Sequence, residues 1–171
     1  MPVFVPDKVC LSCDGCCRFR KDSLFWVPYV SWDEVDAWDY DKDNLIKKKE
    51  GLFGIKTVSC ENSNIVCCYF FCMDDNKCRI YQHRPFECRL YPFLLCRQKD
   101  SIILGVHLAC PYVQDNLGTE LFDRYVSSLM QYLSGSDMME FIYRNKFLAG
   151  DYSAAKDEIM LLPFSMYKDD R

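Results

Sequence analysis

The sequence predicts an α+β fold: a small, irregular, cysteine-rich core with short β-hairpins, followed by a C-terminal three-helix segment. Three observations predict it. Twelve cysteines lie between residues 10 and 110, and none follows. Short runs of β-branched and aromatic residues in that stretch alternate with turn signals. From residue 119 onward the apolar residues recur at helical spacing instead.

The totals bound the reading. At 171 residues, with 50% hydrophobic and 27% charged residues, the chain reads as a single domain with a sizeable core. Within it, residues 10–111 form the cysteine region, and residues 119–163 a helical tail packed on that region. A net charge of -4 disfavours a nucleic-acid role, because phosphate binding needs a clustered cationic excess. No apolar run approaches the roughly 20 residues of a membrane span. Met1-Pro2-Val3-Phe4-Val5-Pro6-Asp7 has neither the basic nor the apolar region of a signal peptide. Vicinal pairs, Cys16-Cys17 and Cys67-Cys68, suit a disulfide framework poorly. The expectation is a cytoplasmic protein with reduced thiols.

The elements follow in order. Residues 1–20 read as loop. Residues 24–30 read as extended, with Pro28 at an edge. Ser31 and Glu34 form a capping box for a helix burying Trp32, Val35 and Trp38. A short helical stretch over 44–50 stops at Gly51, with Lys47-Lys48-Lys49 as its solvated end. Residues 52–59 and 64–71 read as a hairpin about Glu61-Asn62-Ser63-Asn64. A second hairpin joins 93–97 to 101–109 about Gln98-Lys99-Asp100. Thr119 caps a helix bearing Leu121, Phe122, Tyr125, Val126, Leu129, Met130 and Leu133. Asp137 and Glu140 cap the next helix, with Ile142, Phe147 and Leu148. Residues 153–162 form the third, ended by Pro163. Met130, Met138, Met139 and Met160 read as core filler.

The chemistry lies in the cysteines. Cys10, Cys13, Cys16 and Cys17 fall within eight residues. Overlapping C-x-x-C steps let a short loop aim several sulfurs at one point, and thiolates are strong ligands for zinc and iron–sulfur clusters. Farther on, Asp74-Asp75-Asn76 is a turn signal that brings Cys68 and Cys78 together across a hairpin. Pro85 suits the start of a short helix, which sets Cys88 near a helix N-terminus, where the dipole favours a thiolate. The site residues expected from this pattern exclude Ser-His-Asp sets, paired carboxylates and phosphate loops, none of which is present.

These residues resemble the CxxCxxCC (YkgJ-type) family of zinc- or iron-chelating cysteine-cluster proteins. Cys10, Cys13, Cys16 and Cys17 stand as its first motif, and Cys68-Tyr69-Phe70-Phe71 as its second. Cys78-Arg79-Ile80-Tyr81-Gln82-His83-Arg84-Pro85-Phe86-Glu87-Cys88-Arg89-Leu90-Tyr91-Pro92 is similar to its third, and Cys110-Pro111 to its last. The resemblance covers residues 10–111 and implies eight metal ligands: Cys10, Cys13, Cys16, Cys17, Cys68, Cys78, Cys88 and Cys110. Cys68 is preferred over Cys67 and Cys72 for the aromatic pair after it. Cys60, Cys72 and Cys96 read as ordinary buried thiols. One mononuclear ion or ordinary cluster takes about four ligands, so eight suggest two neighbouring centres divided at the vicinal pair.

Spacing leaves zinc and iron open. The dense first motif and the aromatic lining of Phe19, Trp26, Tyr81, Phe86, Tyr91 and Phe93 favour an iron–sulfur cluster, with Zn²⁺ as the alternative. Arg84 and Arg89 would either hydrogen-bond cluster sulfurs or anchor the turn through carbonyls, and Tyr81 would wall the site. His83 and His107 read as polar or packing residues. The resemblance implies iron–sulfur redox or electron-transfer activity. A zinc-stabilised module, with the helical tail as a protein-binding surface, and metal delivery are the other readings. A related cysteine cluster in flagellin lysine N-methylases extends the range to protein methylation with S-adenosylmethionine. Neither a glycine-rich nucleotide loop nor the radical-SAM spacing supports that extension.

Overall fold

The computed structural model describes residues 1–13, 15–37, 42–49, 51–60 and 64–167. Asp14, Trp38, Glu50 and the Glu61-Asn62-Ser63 part of the first hairpin turn lie outside the described residues. Helices and small antiparallel sheets together make an α+β protein. The chain divides into two compact units, Val5–Arg89 and Met1–Phe4 with Leu90–Arg171. The dividing point falls inside the 10–111 stretch.

The first unit starts with α1 (Asp7–Cys10), a 3₁₀ turn over Gly15–Cys17 and β1 (Arg18–Arg20). Then come β2 (Tyr29–Ser31) and α2 (Trp32–Ala37). The capping box forms: Glu34 N–H donates to Ser31 Oγ at 3.3 Å, and Ser31 N–H to Glu34 Oε2 at 3.0 Å. Val35 is buried as expected, but Trp32 is 51% exposed and meets the Phe53 ring at 5.7 Å. The first turn of so short a helix is spent on capping, which leaves the Trp32 position outside the core.

The stretch expected as helix over 44–50 is β3 (Leu45–Lys49), the edge strand of a sheet ordered β2-β4-β3 with β4 (Leu52–Ile55). Gly51 has φ 74° and turns β3 into β4 instead of ending a helix. Lysines suit a sheet edge, where their charge blocks pairing with further strands. The predicted strand over 52–59 is divided at Lys56. Its first half belongs to this sheet. Its second, β5 (Thr57–Ser59), pairs with β6 (Ile65–Cys68) in a second sheet ordered β1-β6-β5. β7 (Phe71–Cys72) and β8 (Lys77–Cys78) form the hairpin that Asp74-Asp75-Asn76 signals, with Asn76 at φ 55°. The unit's core gathers Phe19, Val30, Ile55, Val66, Phe70 and Ile80. Its last element is α3 (Phe86–Leu90).

In the second unit β9 (Phe93–Gln98) and β10 (Ser101–His107) form the expected hairpin, with Lys99 at φ 52°. α4 (Pro111–Asn116), α5 (Glu120–Leu133) and α6 (Ser136–Arg144) follow. Thr119 caps α5, its Oγ1 accepting from Phe122 N–H at 3.3 Å. Phe122, Val126, Leu129 and Leu133 are buried, while Leu121 is exposed at 51%. α6 begins at Ser136 after Gly135, without a side-chain cap, so Asp137 and Glu140 form no capping box.

The third helix is absent. Ser153–Glu158 is 3₁₀ with a kink at Ala155, and β11 (Ile159–Tyr167) follows. β11 lies at the edge of a sheet ordered β11-β10-β9. Its register jumps from Ile103↔Ser165 to Gly105↔Leu161, so Pro163 falls in the bulge. A residue without an N–H is tolerated in a strand only at such a place. Phe4, Phe93, Tyr112, Phe122 and Tyr125 form an aromatic cluster in this core. No described helix is long and apolar enough to cross a membrane.

Candidate metal centre

Seven of the eight expected ligands belong to the first unit, and six of them, Cys10, Cys16, Cys17, Cys68, Cys78 and Cys88, form one chain of electrostatic contacts. Cys10 closes α1, and Cys16 lies in the 3₁₀ turn after it. Cys68 ends β6, Cys78 ends β8 and Cys88 rides on α3. The Cys68, Cys16 and Cys78 charges bear on Cys88, and the Cys16 and Cys10 charges on Cys78. Each thiol is raised from its ordinary pKa. Burial is the largest cause for Cys10, Cys78 and Cys88, and pushes Cys68 up to about 12. Cys16 rises through its contact with Cys17, whose Sγ lies 4.0 Å away, and then through burial.

Local structure explains the convergence. Tyr69 and Phe70 turn the chain after β6, and Arg79 N–H donates to Phe70 O at 2.8 Å. The β7–β8 register sets Phe71, not Cys68, opposite Cys78; Cys68 reaches the group from the preceding strand. α3 is held by carboxylates. Phe86 N–H donates to Glu34 Oε1, and Tyr29 N–H to Glu87 Oε2 at 2.6 Å. Burial raises Glu87 to about 8, with the Glu34 charge adding to it. At the start of α3, removal from water and then the Cys68, Cys16, Cys78 and Glu87 charges push the Cys88 thiol up, opposite in sign to the effect of a helix N-terminus.

Arg84 does both things the sequence allows. Its Nη1 lies 3.5 Å from Cys10 Sγ, and its Nε donates to Tyr81 O at 2.8 Å. The guanidinium stacks 3.6 Å from the Tyr81 ring centre, and its charge opposes the rise of the Cys10, Cys16 and Cys78 thiols. Tyr81 OH donates to Asp7 Oδ1 at 2.7 Å, which ties the stack to α1. Arg89 is placed against Glu34, 4.0 Å from its Oε1.

The remaining expected residues are placed as follows. Cys13 N–H donates to Cys10 O at 3.2 Å, on the same loop. Cys110 is buried in the second unit at the N-cap of α4. Tyr91 and Phe93 also belong there, Tyr91 bonding His107 Nδ1 at 3.1 Å and Phe93 facing Phe4. Cys60, expected as a free buried thiol, is instead bonded to Cys67. Because β5 and β6 pair Ser59 with Val66, Cys60 and Cys67 flank that pair on opposite sides, and the bond runs diagonally across the hairpin. Cys67 is thereby engaged, and Cys68 is the free member of its vicinal pair. The sequence gives no signal for this pairing, nor for the roles of Glu34 and Glu87 at α3.

Among the described residues no three Cys, His, Asp or Glu side chains already stand in an arrangement that would grip a metal ion. The donor chemistry fits a soft or borderline metal. Thiolate sulfur is a ligand for zinc and iron–sulfur clusters, not for the oxygen-seeking Mg²⁺ or Ca²⁺. Comparison with protein-family models, with curated proteins and with solved structures finds no match to this chain.

Proposed function

We propose that this chain is a cysteine-cluster metalloprotein that binds iron–sulfur and serves redox or electron-transfer chemistry. The observation that carries the proposal is the gathering of Cys10, Cys16, Cys68, Cys78 and Cys88 from separate elements of one unit. Thiols gathered out of water gain most from a bound cation, which replaces their protons and offsets the repulsion their thiolates would otherwise have. The resemblance to the CxxCxxCC proteins rests on these same residues. Cys13 and Cys17 extend the set along the first loop.

An iron–sulfur cluster bound here would supply one-electron chemistry. The protein's own part is to hold the sulfurs, to set Arg84 beside Cys10 and to exclude water. The decisive experiment is metal and acid-labile sulfide analysis of anaerobically purified protein. Brown protein with comparable iron and sulfide supports the proposal. Colourless protein with stoichiometric zinc and no sulfide sinks it in favour of a zinc-stabilised module, and metal that exchanges freely indicates delivery.

A further inference from the structure

The second unit holds a cleft of about 210 Å³ that the cysteine chemistry leaves unused. It opens between the β9 and β11 side of the sheet and residues 151–156, with Cys96, Ile159 and Leu161 on the sheet side. Two glycines shape its surroundings. A Cβ at Gly105 would fall 2.7 Å from Cys96 Sγ and 2.8 Å from Ile159 Cγ2, so the sheet face stays low there. A Cβ at Gly150 would fall 2.7 Å from the Tyr152 ring. That ring therefore lies against bare backbone and walls the cleft.

The charges are unbalanced. Arg97 and Lys156 line the cleft with one carboxylate, Asp151. Asp151, whose Oδ1 accepts from Ser153 N–H at 3.0 Å, is held ionised by that bond and by the Arg97 charge, which leaves one net positive charge on the lining. Arg97 is positioned from both ends: its N–H donates to Gly150 O at 2.8 Å and its Nη2 to Lys146 O at 3.2 Å. A guanidinium has five N–H donors, so others are left for a ligand. Lys156 is exposed and has no carboxylate partner among the described residues.

We propose that this cleft binds a small organic anion, its head group held by Arg97 and Lys156 and its apolar body against Ile159, Leu161 and the Tyr152 ring. An apolar cavity of about 150 Å³ accepts benzene, so the space suits a short chain or single ring plus one head group. Carboxylate and phosphate share the required chemistry. The site is independent of metal binding.

The test is an amide-resolved NMR titration of the full chain with hexanoate, hexyl phosphate and neutral hexanamide. Saturable shifts at Arg97, Gly150 and Ser153 are expected with an anion, at least about tenfold weaker with hexanamide. The stronger of the two anions identifies the head group. Lys156→Glu should weaken binding by about tenfold or more, and Lys156→Arg should retain it. No saturable shift with either anion, an equal response to hexanamide, or unchanged binding by Lys156→Glu would overturn the proposal.

Discussion

Glu34 closes the capping box of α2 with one carboxylate oxygen and receives the first N–H of α3 with the other. A single side chain thus fixes two helix starts, one of which carries Cys88. Glu34→Ala should cost about 1–3 kcal/mol, because it leaves the buried Ser31 and the Phe86 N–H without their acceptor; urea denaturation measures this, and metal occupancy should fall with it. At the cysteines themselves, Cys13→Ser and Cys88→Ser should lose metal and solubility together, whereas Cys96→Ser should keep both. Cys96 lies in the second unit over Gly105, so metal loss from that variant would show the ligand set to be wrong. At this scale the candidate ligands were legible in the sequence, because thiol spacing is a local property. Glu34 and Glu87 were legible only in part: the capping box is local, but the reach to α3 spans 52 residues.

Two elements changed type between expectation and structure, for related reasons. β3 contains three lysines, which a helix accepts well, yet its neighbour β4 offers an unpaired edge and Gly51 supplies the turn. β11 contains helix-forming residues before Pro163, yet β10 pairs with it on both sides of a bulge. Partner strands decide such cases, since strand preference reflects context more than backbone propensity. By contrast α5 kept its expected cap and buried stripe, because a long amphipathic helix with an N-cap carries its own instructions. The β5–β6 hairpin gains a diagonal cross-link next to its turn. Closing a loop of this length stabilises by about 2.5 kcal/mol on the chain-entropy account. Cys60→Ser should therefore lower the denaturation midpoint accordingly while leaving metal content unchanged; a loss of metal would instead place Cys60 and Cys67 among the ligands.

Across the whole molecule, the division into two units predicts unequal dependence on metal. Chelation should strip hydrogen-exchange protection from Val5–Arg89, while the β9–β10–β11 sheet and α5 keep theirs. Uniform loss of protection would contradict the assignment of the site to the first unit. The second unit has its own pH sensitivity. Burial lowers the His107 pKa from 6.5, and contact with Glu158 offsets this only in part. The unfolded chain therefore takes up the proton first as pH falls. His107's contribution is complete above the ordinary histidine pKa and is lost as pH drops through its lower folded value. His107→Gln should flatten the decline in stability between about pH 7 and pH 5, read from urea midpoints.

By itself the sequence determined the mixed α and β character, the two turn-signalled hairpins, the capped amphipathic helix and the set of candidate thiols. Each depends on residues within a few positions of one another. Only the tertiary structure decided which thiols meet, that Cys67 bonds Cys60 and frees Cys68, that β3 and β11 are edge strands, and that Arg84 stacks on Tyr81 beside Cys10. Those outcomes depend on which distant segments pack together, and burial there acts against a local preference, as it does for the Cys88 thiol at its helix start.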